Sequence, residues 1–349
     1  MSAIELLRNR RTDDGREPNR SGLKLKNLVS ATCAAFLFVI AAGFSNPAIS
    51  AGNTSAADAP NIIESPPDLW HPPGPPVTIP PGHVPAYLTP LANYQGLWWN
   101  APAASERGWG INIAHQGDTI FATWFTYDAG GKAMWFVMTA PKSAPGIYSG
   151  TLYATTGPSF DAPVFDPNQV VSTPVGNATL VFTDVNNGSF SYAVNGSSQT
   201  KAITREVFDV APSCRMADDS LTAATNYQDL WWASPAGSEA GWGINFTHQG
   251  DTLFATWFTY DVDGSPMWLV VTAPKIGQGV YAGTLYRTTG PAWNAPQFDP
   301  AAVVATAVGG ATFTFTDGDN GIFAYTVNGM SQTKPITRQV FSSPGTVCN

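Results

Sequence analysis

Apolar and polar residues alternate with a period of two along most of the chain after residue 93, which is the pattern of β-strands. The alternation is clearest in Phe190–Asn195 and Thr312–Thr316. Segments rich in Gly, Asn, Asp and Pro separate such runs, and Asn-Gly and Gly-Asp pairs supply the positive φ angles that tight hairpins need. The pattern therefore predicts an all-β protein of short antiparallel strands joined mostly by hairpins.

The strand-forming part of the chain is a tandem repeat. Asn93–Asp128 recurs as Asn226–Asp261, and the match continues to Phe208 and Phe341. The copies align without a gap and share about two residues in three, which predicts two similar domains.

Counting the runs in the first copy gives eight or nine strands. They are expected near 96–100, 109–115, 119–127, 133–140, 147–156, 170–174, 178–184, 188–195 and 199–208. An up-and-down meander of this many strands has exposed edges unless it closes. We therefore expect two tandem eight-stranded barrels, with β-sandwiches as the alternative.

Several strands are apolar on both faces. In the run 120–127, Ile120 and Trp124 share one face, whereas Phe125 and Tyr127 share the other. A strand with one face in water would not show this pattern. Either the sister domain covers the outer face, or that face is an exposed aromatic patch that binds something.

The N-terminus is typical of an export signal. Residues 1–27 are polar and basic, and the apolar run Leu28–Phe44 precedes small residues that predict cleavage near Ser50 or Ala51. An uncleaved membrane anchor is the alternative. The following segment is rich in proline, which favours an extended polyproline II spacer. The predicted segments are a signal peptide at 1–50, a Pro-rich linker at 51–92, a first repeat at 93–213, a second linker at 214–225 and a second repeat at 226–349.

Composition narrows the range of partners. The formal net charge is −8 and only 12% of the residues are charged. An acidic surface repels a phosphate backbone, which argues against nucleic acid and against an anionic membrane surface. The sequence predicts a bacterial protein that is secreted or periplasmic, without a membrane span after cleavage, and it predicts no cofactor and no metal site.

Two cysteines remain after cleavage, because Cys33 lies in the signal. Cys214 and Cys348 follow the two repeats at near-equivalent places. Two cysteines in an exported chain favour a disulfide. The predicted bond pins the tail of the second domain to the interdomain linker.

The evidence for an active site is weak. His115 and His248 are the only histidines in the repeats, and we expect His115 at a hairpin tip, where it serves turn geometry or is solvated. Glu106 and Glu239 precede tryptophans, an arrangement that can produce a carboxylic acid of raised pKa. The second carboxylates that a glycosidase would need are offered by Asp118, Asp128 and Asp161. Because duplicated active sites are uncommon, the hypothesis is a non-catalytic protein, with a glycosidase-like hydrolase as the less favoured alternative.

Two motifs resemble known families. Gly96-Leu97-Trp98-Trp99-Asn100 resembles the first strand of avidin-like and lipocalin-like barrels, which implies a barrel with a tryptophan closing one end. The second copy carries Asp229 and Ala233 at the glycine and asparagine positions. Separately, Ser-Glu-x-Gly-Trp-Gly-Ile-Asn followed by His-Gln-Gly-Asp-Thr is similar to a Trp-rich repeat of secreted bacterial proteins, which implies a domain type and no particular activity.

Each copy carries five equivalent tryptophans, more than a small β core needs. Adjacent Trp98 and Trp99 must point to opposite faces of a regular strand. The predicted ligand-binding residues are Trp98, Trp99, Glu106, Trp109, Asn112, Trp124, Trp135, Trp231, Trp232, Glu239, Trp242, Asn245, Trp257 and Trp268. Indole rings beside a few polar groups suit a neutral glycan or a small apolar molecule. The favoured hypothesis is a tandem binding protein for such a ligand or polymer, and the alternative is a structural or protein–protein interaction module of the cell envelope.

Overall fold

The computed structural model describes residues 92–349, which form two closed eight-stranded antiparallel barrels. The predicted signal peptide and all of the Pro-rich linker except Ala92 lie outside the described residues. Barrel 1 consists of β1 (Gly96–Asn100), β2 (Gly110–Gln116), β3 (Thr119–Tyr127), β4 (Ala133–Ala144), β5 (Ile147–Thr156), β6 (Val171–Phe182), β7 (Asn187–Val194) and β8 (Ser197–Arg205).

Barrel 2 repeats this plan. Its strands are β10 (Asp229–Ala233), β11 (Gly243–Gln249), β12 (Thr252–Tyr260), β13 (Pro266–Gly277), β14 (Val280–Thr289), β15 (Val304–Phe315), β16 (Asn320–Val327) and β17 (Met330–Arg338). The short strands β9 (Cys214–Ala217) and β18 (Gly345–Cys348) pair with each other outside both barrels. The segment predicted as an interdomain linker therefore contains a strand.

The first strand of each barrel closes it. Trp98 in β1 lies opposite Ile111 of β2 on one side and Arg205 of β8 on the other. Every strand of the meander is then paired on both sides, which removes the exposed edges. The barrel prediction is confirmed, and the sandwich alternative is wrong.

Barrel 1 has eight strands, so one of the nine predicted segments is not a separate strand. The segments predicted at 170–174 and 178–184 form the single strand β6, because the break between them is a β-bulge and not a turn. Leu152 pairs with Gly176 and Tyr153 pairs with Pro174, so Val175 is the extra residue. A bulge of this kind bends a strand without ending it.

The two faces of β3 are buried against different partners. Trp124 points into barrel 1, where its ring contacts Phe136 and Phe190. Phe125 points outward and contacts Trp268 of barrel 2, with ring centroids 5.0 Å apart. Since both rings are about 2% exposed, the sister domain covers the outer face, as one of the two sequence hypotheses stated.

The contacts between the barrels are reciprocal. The Trp135 indole N–H donates to the Thr259 carbonyl at 3.1 Å, and that of Trp268 donates to the Thr126 carbonyl at 2.9 Å. Each barrel thus supplies an indole that satisfies a backbone carbonyl of the other. A buried, hydrogen-bonded aromatic interface of this kind makes the two barrels one packed body.

The segments after the barrels also cross over. Gln249 of barrel 2 accepts a hydrogen bond from the Phe208 N–H, and Gln116 of barrel 1 accepts one from the Phe341 N–H. The crossing segments continue into β9 and β18, where Cys214 and Cys348 form a disulfide. The predicted disulfide is confirmed, and it links the two crossing segments.

Helical structure in residues 92–349 is limited to short 3-10 turns such as Pro167–Gln169 and Pro300–Ala302. No helix among these residues has the length and apolar character needed to cross a membrane.

Candidate functional site

The open ends of the two barrels are the natural place to look for a ligand site, because barrels bind ligands in their mouths. In barrel 1 the mouth is the end formed by the connections 101–109, 128–132, 157–170 and 195–196. We call residues 157–166 and 290–299 the plug loops. Each plug loop leaves its own barrel and enters the mouth of the other.

The plug loop of barrel 1 fills the mouth of barrel 2. The Phe160 ring is buried and packs edge-on against Trp257, at a centroid distance of 6.2 Å. The hydroxyl of Tyr325 donates to the Phe160 carbonyl at 2.8 Å, and the Gln332 amide donates to the Ala162 carbonyl at 3.1 Å. The loop is therefore held by its backbone as well as by its aromatic ring.

The plug loop of barrel 2 fills the mouth of barrel 1 in the same way. The Trp293 ring lies 6.0 Å from those of Trp124 and Tyr192 and 6.2 Å from that of Phe136. The hydroxyl of Tyr192 donates to the Trp293 carbonyl at 3.1 Å. The position that an aromatic ligand would take is thus occupied by the protein itself.

Glycine begins each plug loop because a tyrosine of the sister barrel lies against it. A Cβ on Gly157 would come within 2.5 Å of the Tyr260 ring, and one on Gly290 within 2.4 Å of the Tyr127 ring. Contacts this short do not occur, so a side chain at either position would push the loop out of the mouth. Burial raises the pKa of both tyrosines, which keeps their hydroxyls neutral.

The predicted site residues Glu106 and Trp109 do come together at the mouth of barrel 1. The Trp109 N–H donates to the Glu106 carboxylate at 3.0 Å, and the Lys201 ammonium pairs with the same carboxylate at 2.6 Å. Lys201 also lies 5.3 Å from the centroid of the Trp109 ring, within range of a cation–π contact. The indole and the ammonium group share one oxygen of this carboxylate, Oε2.

The second copy contains the same cluster. The Glu239 carboxylate accepts from the Trp242 N–H at 2.8 Å and pairs with Lys334 at 2.6 Å. Because both copies use the carboxylate to fix a lysine over a tryptophan, the arrangement is typical of structural support at the rim of the barrel.

The predicted aromatic surface is not exposed. Nine of the ten repeat tryptophans are buried, with exposures of 7% or less. They are Trp98, Trp99, Trp109, Trp124, Trp135, Trp231, Trp242, Trp257 and Trp268. Only Trp232 is half-buried. Trp135 and Trp268 do meet a partner outside their own core, because each donates a hydrogen bond to a carbonyl of the sister barrel.

The predicted polar contacts Asn112 and Asn245 are also buried. They lie on the outer faces of β2 and β11, opposite Thr123 and Thr256 in the ladder. Their exposures are 2% and 4%. They are therefore not available to an external ligand.

The predicted environment of His115 was wrong. His115 is at the end of β2 and is 1% exposed, not solvated at a hairpin tip. Its Nδ1 accepts from the Tyr94 N–H at 3.2 Å, so its proton lies on Nε2, which bonds the Tyr148 hydroxyl at 3.1 Å. Burial lowers its pKa to about 4. His248 repeats these contacts with Tyr227 and Tyr281, and its pKa is also lowered by burial to about 4.

His115 and Glu106 do not converge. His115 ends β2 and Glu106 precedes its start, so the strand separates them by roughly 20 Å at about 3.3 Å per residue. Asp118 pairs with Lys142 at 2.9 Å, and Asp161 accepts from Ser159. A hydrolase that pairs His115 with Glu106 is therefore not assembled.

Sequence reasoning missed the plug loops. The signal was present, since Gly-Pro-x-aromatic followed by Ala-Pro-x-Phe-Asp-Pro occurs in both copies. An aromatic residue inside a Pro-rich connection is unusual unless it packs on something. Within residues 92–349, no group of three or more His, Cys, Asp or Glu side chains is arranged to hold a metal ion. Comparison of the chain with protein-family models, with curated proteins and with solved structures finds no match.

Proposed function

We propose that this chain is a non-catalytic structural or protein–protein interaction module of an exported compartment, in which the two barrels act as one rigid body. The observation that carries the proposal is the reciprocal plugging of the mouths by Phe160 and Trp293. A barrel whose mouth is filled by its own chain presents its outer surface to partners. The Cys214–Cys348 disulfide supports an oxidising compartment.

One outer face of barrel 1 is polar. On the outer face of β6 to β8, Thr179, Ser191 and Thr200 lie side by side around a shallow depression of about 440 Å³. The Ser191 and Thr200 hydroxyls bond each other at 2.9 Å. Hydroxyl groups on a rigid sheet suit a polar protein surface, where hydrogen bonds and water provide most contacts.

A photo-crosslinking experiment in the producing cell tests this proposal. A photoreactive residue at Thr200 should give a discrete adduct with an envelope protein, whereas the same residue at the buried Phe160 should give only intramolecular products. Thr333 is the counterpart of Thr200 in barrel 2, where it lies beside Ala324 instead of a serine, and it serves as the matched surface control. If Thr200 yields no protein adduct under conditions where the protein is folded and exported, the interaction module is not supported.

A neutral-ligand binder through tryptophan is the second candidate, and Trp232 is the observation in its favour. It is the least buried indole of the ten. Calorimetry with neutral oligosaccharides and small apolar dyes separates the candidates. Saturable micromolar binding that is lost in Trp232→Ala but kept in Trp293→Phe would overturn the interaction module in favour of the binder.

A further inference from the structure

The rim of barrel 2 holds a cluster of four charged side chains. The Asp261 carboxylate accepts a hydrogen bond from the Arg287 guanidinium. The ammonium group of Lys132, which comes from barrel 1, lies 3.4 Å from Asp261 and 3.0 Å from Asp263. Burial acts to raise the pKa of Asp261, but Arg287 and Lys132 together hold it below its usual value. Two carboxylates and two cations make this cluster neutral.

The equivalent rim of barrel 1 keeps the carboxylate and lacks both cations. Asp128 occupies the place of Asp261, while Ala154 replaces Arg287 and Ser265 replaces Lys132. One carboxylate oxygen of Asp128 accepts from the backbone N–H groups of Gly130 and Lys132, both at 2.8 Å. Within the described part of the chain, no ion pair involves Asp128.

A cavity lies where the missing arginine would be. Its volume is about 300 Å³, and its walls include Asp128, Met134, Ala154, Thr173 and Pro266. A water molecule occupies roughly 30 Å³ in the liquid, so the cavity has room for a guanidinium group, its alkyl stem and several waters. The apolar wall suits the stem, since arginine buries its methylenes along apolar surface.

The negative charge of the Asp128 carboxylate favours a cationic ligand in this cavity. Lys132 also borders the cavity, but its ammonium group is bound to Asp261, Asp263 and Ser265 of barrel 2. Asp128 therefore lines the cavity without a cation paired to its carboxylate. A guanidinium group is preferred over an ammonium group, because its planar fork can donate two parallel hydrogen bonds to a carboxylate.

We propose that the Asp128 pocket, bordered by Ala154 where the sister barrel carries Arg287, binds the guanidinium group of an arginine side chain from a partner protein. The protein source rests on the proposed interaction function. The preference for a guanidinium group is independent of that function. It follows from the Asp128 carboxylate, from the cavity and from Arg287, which fills the corresponding place in barrel 2.

The probe is N-acetyl-L-argininamide, titrated into the disulfide-intact protein at low ionic strength and followed by the amide resonances of Gly130 and Lys132. We expect saturable shifts. Asp128→Asn should weaken binding about tenfold or more, because it removes a charge-assisted hydrogen bond while its amide oxygen can still accept from the turn. The uncharged isostere N-acetyl-L-citrullinamide should bind at least tenfold more weakly than the arginine probe. Equal binding of the two probes, or equal binding by wild type and Asp128→Asn, would overturn the pocket.

Two variants use the internal copy as a control. Ala154→Arg should fill the cavity and abolish the shifts at Gly130. Arg287→Ala should open a second cavity at Asp261, which we expect to take the probe more weakly because Lys132 still pairs with that carboxylate. If Ala154→Arg does not fold, Asp128→Asn and the citrulline probe decide alone.

An arginine-containing peptide from a crosslinked partner then tests whether a partner protein supplies the arginine side chain. Tighter binding of that peptide than of its citrulline version supports the partner protein. If argininamide binds but no crosslinked partner supplies an arginine, the pocket stands and the protein source fails. If crosslinking succeeds and argininamide does not bind, the interaction function stands and this pocket is not its site.

Discussion

The two barrels differ most in how they treat two pairs of charged positions. Barrel 2 completes both pairs, Asp229 with Arg338 at 3.2 Å and Asp261 with Arg287. Barrel 1 keeps one member of each, since Gly96 takes the place of Asp229 near the Arg205 guanidinium and Ala154 takes the place of Arg287 near Asp128. The same fold therefore tolerates a lone arginine at its base and a lone carboxylate at its mouth.

The lone arginine is satisfied by the backbone. The Arg205 guanidinium donates to the carbonyl oxygens of Asn93, Gln95 and Val185. Burial lowers the pKa of Arg205 to about 10, so it stays charged at neutral pH. Five N–H donors in a fixed fork allow carbonyls to replace a carboxylate. Asp128, by contrast, has no ion-pair partner among the described residues and lines a cavity.

Removing Arg338 from its pair with Asp229 should lower the stability of the protein the most. In Arg338→Met, Asp229 is left buried without a cation, and three backbone carbonyls lose their donor. We expect a loss of about 3–5 kcal/mol in the free energy of unfolding, measured by urea denaturation. Arg205→Met removes a similar set of backbone bonds but strands no carboxylate, so it should cost less. Equal losses would show that the carboxylate adds nothing to the difference.

The plug residues should come next. Phe160→Ala and Trp293→Ala each remove an aromatic ring from the sister mouth, and each should cost about 3 kcal/mol or more. Trp293 contacts three aromatic rings in barrel 1. Phe160 has one such contact, but it is the more buried of the two. Quenching by acrylamide should rise in Phe160→Ala as Trp257 becomes accessible. Unchanged stability in both variants would contradict a structural role for the plugs.

Acid should destabilise the protein through the buried histidines. Each has a folded-state pKa of about 4, below the usual value of about 6.5, so the unfolded state binds more protons between those limits. Stability should be full above about pH 6.5 and fall toward pH 4, by up to roughly 3 kcal/mol per histidine. Asp229 opposes this, because burial raises its pKa and the folded state takes up its proton first.

Melting temperatures at a series of pH values measure this slope. Asp229→Gly removes the opposing group, so its stability should fall more steeply with acid than that of the wild type. A wild-type curve that is flat between pH 6.5 and pH 4 would be inconsistent with neutral, buried histidines.

The smallest effect is expected when barrel 2 is converted to the barrel 1 arrangement. In Asp229→Gly, the Arg338 guanidinium keeps the carbonyls of Asn226, Gln228 and Gly318. We expect a loss of about 1 kcal/mol at neutral pH, well below the cost usual for breaking a buried ion pair. A loss as large as that of Arg338→Met would show that backbone carbonyls do not substitute for the carboxylate.

Much of the architecture could be predicted because it depends on local patterns. Period-two alternation and hairpin turns predicted the strands. The number of strands predicted that each meander closes, and the structure confirms both barrels. The two apolar faces of Ile120–Tyr127 indicated that the outer face is either covered by the sister domain or an exposed aromatic patch, and the structure decided for the first. Cys214 and Cys348 could be paired because the third cysteine, Cys33, lies in the predicted signal peptide.

The candidate site could not be predicted in the same way. The sequence shows an excess of tryptophan, but whether Trp135 and Trp268 face solvent or each other's barrel depends on docking between domains. The plug loops pack against the sister barrel and not against their own strands. The local sequence around Phe160 and Trp293 therefore predicts only a loop. The environment of His115 was missed for the same reason, since Thr346, far along the chain, bonds its carbonyl.

The amino-acid sequence by itself determined the repeat, the β-strands, the closure of each barrel and the disulfide, because each follows from short-range periodicity or from counting. Only the tertiary structure decided that the barrels fill each other's mouths and that Asp128 faces a cavity. The physical reason is that burial and charge pairing are properties of a residue's neighbours in space, and here those neighbours come from the other copy of the repeat.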